Sequence, residues 1–324
     1  MTLFYACLLA AGLDPQAPAP PPVFSAGVEA VYLDVFVTSR GQPVGALAAA
    51  DFDVRDNDVP QAPTLVDRQS VGLTAALVFD ASGSVAGEKL SQLRAAGHAF
   101  IDGLGERDSA SLLTFSEEVL LPVAPTRDRA ALHRALDRIG TRGATAVRDA
   151  LYVALRQPRE GGRPMVVLFT DGEDVVSWLT PEEILACARQ SDVLVDVVAS
   201  PERPDPMAEY RAAVRQPDAL RQEQGAPTTT SWERTPRGPE ESAHVRFLRQ
   251  VAETTGGALW TAASTDLPRV FREILEATRT CYVLSYELRG VPRTGRHRLK
   301  VSVKGRRVDV RARTEYVVPA PPGR

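Results

Sequence analysis

The segment Asp80-Ala81-Ser82-Gly83-Ser84 carries one carboxylate and two hydroxyls on alternate residues. In a tight loop, alternate residues point to the same side, and Gly83 allows the backbone to turn sharply between them. All three side chains offer oxygen, which hard cations such as Mg²⁺ prefer in an octahedral arrangement. The segment therefore predicts part of a divalent-metal site.

Two further oxygen-bearing residues, Thr145 and Asp171, have a glycine close by in the sequence. Thr145 lies in Gly143-Ala144-Thr145-Ala146, just before a predicted helix, and Asp171 follows the apolar run 165–170 and precedes Gly172. Two carboxylates and three hydroxyls fit Mg²⁺ best and leave Mn²⁺ and Ca²⁺ open. We predict that one metal ion is held by Asp80, Ser82, Ser84, Thr145 and Asp171.

The elements that must position these residues are predicted strands buried on both faces. Nearly continuous apolar runs, typical of parallel strands, occupy residues 73–79, 111–115, 165–170 and 193–199. Segments with helical spacing lie between them, so we predict a doubly wound, mostly parallel α/β sheet over residues 71–279. Ligands bind such sheets at the carboxyl ends of the strands, where Asp80 and Asp171 are expected.

Both ends of the chain have a different, β-rich pattern. Residues 28–38 alternate with a period of two, and residues 282–287 and 299–303 alternate again near the other end. We predict that the arms 23–70 and 280–318 pair into one small β domain, into which the α/β domain is inserted. Residues 319–324 are left as a tail.

Two segments lack such patterns. Residues 201–241 are rich in Pro, Arg, Gln and Thr, and we predict a mobile insertion there. Residues 1–22 contain an apolar run over 3–13 that is too short to span a bilayer, followed by a Pro/Ala spacer. The run resembles the core of a secretory signal, but no Lys or Arg precedes it. Two interpretations stay open: an exported, extracytoplasmic protein, or an ordinary disordered start.

Composition excludes several functional classes. The chain has 324 residues, 24% of them charged, and a net charge of −3, which does not indicate nucleic-acid binding. No other stretch is long and apolar enough to predict a membrane helix. Three widely spaced cysteines argue against a zinc site or a disulfide framework. The four histidines are far apart in the sequence and are predicted to be non-functional, since no two have ligand spacing: His98, His133, His244 and His297.

The predicted site resembles a known motif. The order Asp80-x-Ser82-x-Ser84, then Thr145, then Asp171 is similar to the metal-ion-dependent adhesion site of von Willebrand factor A domains. The resemblance implies that the two serines and, in some states, the threonine bind the metal directly. It also implies that the two aspartates act largely through water, and that a carboxylate of a protein partner completes the metal's coordination.

A wider resemblance extends over residues 28–317, apart from the insertion. It is carried by residues 31–38 (VYLDVFVT), 51–54 (DFDV), 56–61 (DNDVPQ), 170–174 (TDGED) and 281–286 (CYVLSY). These segments resemble a bacterial "VWFA-related" family known mainly from acidobacterial genomes. Members of that family usually begin with an export signal, so the resemblance implies an extracytoplasmic protein.

Three functions compete for the predicted site. Neutral hydroxyls and two carboxylates leave a divalent ion incompletely satisfied, which favours the capture of an acidic group from a protein partner. Alternatively, the ion only holds the loops together. The third candidate is a Mg²⁺-dependent phosphohydrolase, but Ser82 stands where an Asp nucleophile would need a second carboxylate. Glu173 and Asp174 either tune the metal or form a solvated acidic turn.

Overall fold

The computed structural model describes residues 30–67, 71–157, 161–199 and 242–320. The predicted export segment with its spacer (1–22) and the predicted insertion (201–241) lie outside these residues. Within the described ranges, no helix is long and apolar enough to cross a membrane.

The chain alternates between strands and helices in its middle and is β-rich at both ends. The helices are α1 Glu88–Gly103, α2 Arg129–Asp137, α3 Val147–Arg156, α4 Pro181–Gln190, α5 Ala243–Thr255 and α6 Leu267–Thr280. The strands are β1 Val31–Ser39, β2 Gln42–Pro43, β3 Phe52–Asp56, β4 Val59–Gln61, β5 Thr64–Leu65, β6 Leu73–Asp80, β7 Ser109–Phe115, β8 Val119–Thr126, β9 Arg163–Thr170, β10 Leu194–Ala199, β11 Leu259–Thr261, β12 Tyr282–Tyr286, β13 Gly295–Val303, β14 Asp309–Arg311 and β15 Glu315–Val318.

The central sheet has the strand order β11-β10-β9-β6-β7-β8, and only the edge strand β8 runs antiparallel to its neighbour. Every residue of β6 is buried. Leu77 and Phe79 face the layer formed by α1, α2 and α6, whereas Ala76 and Val78 face α3, α4 and α5. Helices on both faces explain why the run 75–79 of β6 is continuously apolar. The predicted doubly wound, mostly parallel sheet is confirmed.

Local sequence signals begin and end the helices that cover this sheet. Thr180 accepts a hydrogen bond from the backbone of Glu183 (3.3 Å), and Glu183 Oε2 accepts one from Thr180 N (2.8 Å), which satisfies two free N–H groups at the start of α4. At the other end of a helix, Gly256 adopts a φ of 88° directly after α5. This left-handed conformation favours glycine and terminates the helix.

The two β-rich arms form two antiparallel sheets around a common core. One sheet has the order β14-β1-β12-β5 with β2 on β1, and the other has the order β15-β13-β3-β4. Each sheet therefore takes strands from both ends of the chain. Leu33 and Val35 of the first sheet share a buried cluster with Phe52 and Val54 of the second. The predicted β domain built from both arms is confirmed as part of the fold class.

Buried charged contacts join the β domain to the α/β domain. Arg163, the first residue of β9, donates from Nε to Asp34 Oδ1 on β1 (3.1 Å), and its Nη2 lies 3.1 Å from Cys281 Sγ. Arg311 of β14 lies over the ring of Phe36 at 3.7 Å and donates to the carbonyl of Gly256 (2.6 Å). Arg163, through Asp34, and Arg311, through the carbonyl of Gly256, therefore connect the two domains.

The Asp34–Arg163 pair should contribute measurably to stability. The side chains are 21% and 12% exposed, so Asp34→Ala leaves a largely buried guanidinium without its carboxylate. We expect the free energy of unfolding to fall by about 1.5–3 kcal/mol, measured by urea denaturation. Glu287→Ala removes a surface pair whose side chains are 72–73% exposed and should cost less than about 1 kcal/mol. Equal effects of both substitutions would show that the pair does not join the domains.

Candidate metal centre

The site begins at the carboxyl ends of the paired strands β6 and β9. Asp80 ends β6 and is fully buried, and Asp171 directly follows β9. Each Asp80 oxygen accepts a hydrogen bond: Oδ1 from Ser82 N (2.9 Å) and Oδ2 from Thr170 Oγ1 (2.8 Å). The carboxylate is therefore held in one orientation beneath the loop that follows β6.

The two serines and Asp171 form a continuous chain of oxygen atoms. Ser82 Oγ lies 3.0 Å from Ser84 Oγ, and Ser84 Oγ donates to Asp171 Oδ1 at 2.6 Å. Ser82 is 1% exposed, whereas Ser84 lies at the surface. The chain of hydroxyls thus leads from the buried end of β6 outward to solvent.

Thr145 reaches the same place from a third loop. A methyl group added to Gly172 would stand 3.6 Å from both Ser84 Oγ and Thr145 Oγ1, so the two hydroxyls converge on one small volume. Backbone hydrogen bonds hold the loops together: Gly83 N donates to Gly143 O (3.0 Å), and Val175 N donates to Thr145 O (2.9 Å). The structure brings together all five residues singled out from the sequence.

The glycines in these loops differ in role. Gly143 has a φ of 70°, a left-handed conformation that side chains rarely adopt. Gly83 is not among the glycines with positive φ; it opens a short 3₁₀ turn, Gly83–Val85. The sharp turn expected at Gly83 is a 3₁₀ turn, and the left-handed glycine of the site is Gly143, in the loop that faces it.

Lys89, which is not among the five predicted residues, contacts two of them. Its ammonium group contacts Asp171 Oδ2 and donates to the backbone carbonyl of Ser84 at 3.3 Å. Lys89 lies in the first turns of α1, five residues after Ser84, so the helix brings its side chain back over the loop. A fixed positive charge thus lies against the carboxylate of Asp171, whose side chain is fully buried.

Burial controls the electrostatics at the base of the site. It raises the pKa of Asp80 above the usual aspartate range, and the nearby negative charge of Asp171 adds to that effect. The hydrogen bonds from Ser82 and Thr170 act in the opposite direction. A positive charge close to Asp80 would favour its ionised form.

The acidic residues that follow Asp171 do not extend the oxygen cluster. Asp174 accepts hydrogen bonds from the guanidinium of Arg148 (2.9 Å) and from Ser177 Oγ (2.7 Å). Burial alone would raise its pKa, but these contacts outweigh burial and lower it. Asp174 therefore holds its loop against the start of α3, and Glu173 is exposed to solvent.

The chemistry of the donor set restricts what the site can bind. In the part of the chain that the structure describes, no three His, Cys, Asp or Glu residues group closely enough to hold a metal. The oxygen atoms that the site offers to an ion are the hydroxyls of Ser82, Ser84 and Thr145 and the carboxylates of the two aspartates. Such all-oxygen donors fit a hard divalent cation and not a soft one.

The loop that follows Asp171 carries an apolar rim, which consists of the exposed side chains of Val175 and Trp178. The side chains of Val175 and Trp178 are 70% and 93% exposed, in the loop that follows Asp171. The backbone of this loop is fixed, because Asp149 of α3 accepts hydrogen bonds from Trp178 N and Leu179 N, both at 3.1 Å. A large indole held in water on an anchored backbone is typical of a contact surface.

Comparisons with known proteins agree with this architecture. A family model for the von Willebrand factor type A domain matches residues 75–173. The chain is 31% identical over 107 residues to the uncharacterized protein sll0103 of Synechocystis sp., which covers 32% of this chain and 26% of the relative. It is also 31% identical over 130 residues to human inter-alpha-trypsin inhibitor heavy chain H4, covering 35% of this chain and 14% of that protein.

A solved structure described as von Willebrand factor type A from Catenulispora acidiphila superposes with a TM-score of 0.48 at 15% identity. It covers 91% of this chain and 74% of the other. The match to sll0103 spans about a quarter of that relative's length, and the match to the inhibitor heavy chain spans less of it. The family match contains β6, the loop that follows it and Asp171. The chain therefore contains a von Willebrand factor type A domain.

Proposed function

We propose that Asp80, Ser82, Ser84, Thr145 and Asp171 hold one divalent cation, Mg²⁺ in preference to Mn²⁺ or Ca²⁺, and that the protein uses it to bind an acidic group of a protein partner. The observation that carries the proposal is the chain of oxygen atoms from Ser82 through Ser84 to Asp171, with Thr145 converging on it. When bound, the ion supplies a coordination position that a partner carboxylate can fill.

The protein's own residues prepare this site in three ways. Asp80 is oriented by Ser82 N and Thr170 Oγ1, so its carboxylate does not need to rearrange. Interlocked loops hold the hydroxyls close to one another before any ligand arrives. Finally, Lys89 balances the charge of Asp171 as long as no other cation does.

The surroundings of the site favour a binding function. Domains of this type are generally interaction modules and not enzymes. Val175 N donates to Thr145 O, and Trp178 lies three residues further along the same loop; both side chains are exposed and offer apolar contact area. A partner that presents a carboxylate flanked by apolar side chains fits both features.

Metal binding should depend on the exposed hydroxyl of Ser84. Isothermal titration with Mg²⁺ should give one site per chain, and Ser84→Ala should weaken binding at least about tenfold because one oxygen donor is lost. Ser302→Ala, an exposed serine on β13 of the β domain, should bind Mg²⁺ as the unaltered chain does. Unchanged binding in Ser84→Ala would remove Ser84 from the site.

Lys89 should compete with the metal ion. Lys89→Met removes the ammonium group that contacts Asp171, so Mg²⁺ should bind about tenfold more tightly, equivalent to ~1.4 kcal/mol. Lys300→Met removes an exposed lysine of the β domain and serves as the charge-matched control. Weaker Mg²⁺ binding in Lys89→Met would mean that Lys89 supports the site and does not compete for it.

Partner capture should need both the ion and the apolar rim. In pull-downs from the native host, Mg²⁺ should retain a partner that EDTA releases, and Ser84→Ala should lose it. Trp178→Ser should weaken retention by about 2 kcal/mol, roughly thirtyfold, if the indole is a contact hot spot. Tyr32→Ser removes another exposed aromatic side chain, on β1, and should have no effect. A partner retained equally in EDTA would contradict metal-dependent binding.

Two alternatives have distinct signatures. A Mg²⁺-dependent phosphohydrolase would turn over a phosphate ester and lose that turnover in Asp80→Ala. If the ion is purely structural, its removal would lower the melting temperature of the protein and would not affect the binding of any partner.

The proposed extracytoplasmic location rests on residues 1–22 and on the family resemblance, and amino-terminal sequencing of the mature protein tests it.

A further inference from the structure

A second cluster of ionisable side chains lies away from the oxygen site, between helices α1 and α2. Each helix carries a histidine and, four residues later, an aspartate: His98 and Asp102 on α1, and His133 and Asp137 on α2. The contacts are crossed between the helices. His98 Nε2 lies 2.9 Å from Asp137 Oδ1, and His133 Nε2 lies 3.1 Å from Asp102 Oδ1.

The two imidazole rings meet through their other nitrogens. His98 Nδ1 and His133 Nδ1 are 2.5 Å apart, the ring centroids are 4.8 Å apart, and the ring planes differ by 17°. The centroid separation exceeds the N···N distance by about twice the radius of an imidazole ring. The two nitrogens therefore lie on the line between the ring centres, and the rings are edge to edge in nearly one plane.

The hydrogen-bonding pattern determines what can lie between these nitrogens. A carboxylate only accepts hydrogen bonds, so each Nε2 carries the hydrogen that it donates to its aspartate. In the neutral ring, the remaining Nδ1 then has a lone pair and no hydrogen. Two lone pairs directed at each other repel unless a cation lies between them.

We propose that His98 and His133 form a binding site for a borderline transition-metal ion, such as Zn²⁺ or Cu²⁺, distinct from the oxygen site on β6 and β9. Imidazole nitrogen suits these ions, whereas Mg²⁺ and Ca²⁺ prefer oxygen. A carboxylate that accepts the other ring N–H is the usual partner of a metal-binding histidine, because it fixes the tautomer and raises the basicity of the ligand. Here both histidines have such a partner, Asp137 and Asp102.

The position of the pair suits a weakly held, exchangeable ion. The two imidazoles are 31% and 28% exposed, so an ion can enter from solvent and the rings can separate by the ångström or so that a metal needs. No third His, Cys, Asp or Glu among the described residues joins them as a ligand, so water completes the coordination. The ion would link α1 to α2 through one residue of each helix.

Zn²⁺ titration in the presence of excess Mg²⁺ tests the proposal, since Mg²⁺ competes with Zn²⁺ for the oxygen site proposed above. Calorimetry should detect one Zn²⁺ per chain, and His98→Asn and His133→Asn should each abolish it. Ser84→Ala should retain Zn²⁺ binding, which separates this site from the proposed function. Asp137→Asn, at a side chain that is 66% exposed, should weaken Zn²⁺ binding about 10- to 100-fold without affecting the fold.

A spectroscopic readout identifies the ligands directly. Electron paramagnetic resonance of added Cu²⁺ should show coupling to two nitrogens in the full chain and lose that signal in His98→Asn. His244→Asn, which removes a histidine of α5, should leave both readouts unchanged. Zn²⁺ binding that persists in both His98→Asn and His133→Asn would overturn the proposal. The proposal would also be overturned if no Zn²⁺ binding were detected, because the two nitrogens would then share only a proton.

Discussion

The structure depends on the complete burial of β6, a strand that ends in a carboxylate. Apolar side chains on both faces anchor β6 between two helical layers, so Asp80 is carried into the protein interior with it. An ionised carboxylate is costly there unless it is hydrogen-bonded. Ser82 and Thr170 supply those bonds, and the residues that follow them in the chain include Ser84 and Asp171, two further oxygen donors of the site. The burial of β6 therefore determines both the packing of the core and the chemistry of the site.

The β domain adds a frame around this sheet. Its two sheets each combine strands from both ends of the chain, so the α/β domain leaves and rejoins the β domain on neighbouring strands. Arg163 links the two domains through Asp34, and Arg311 links them through the backbone carbonyl of Gly256. The contact between Arg163 and Asp34 lies at the start of β9, the edge of the sheet opposite Asp171. The frame consequently holds the domain without covering the candidate metal centre.

Much of this could be predicted from local patterns. Continuous apolar runs predicted the central parallel strands, because a strand buried on both faces has apolar residues at nearly every position. Alternation of apolar and polar residues predicted the strands of the arms, because those strands are buried on one face only. Strand β8 was not predicted, because most of its residues are exposed and its sequence has neither pattern. Lys89 and the His98–His133 pair were missed for a related reason: their contacts depend on helix positions and packing angles, which residue spacing does not encode. The grouping of the five predicted site residues agrees with the structure, whereas their role as metal ligands remains a proposal.

The most direct test of the central claim is a crystal structure of the full chain grown with Mn²⁺, with the ion located by its anomalous scattering. We expect a peak bounded by Ser82 and Ser84, with the Lys89 ammonium group displaced from Asp171. The absence of a peak at these residues, with Lys89 still on Asp171, would contradict that claim.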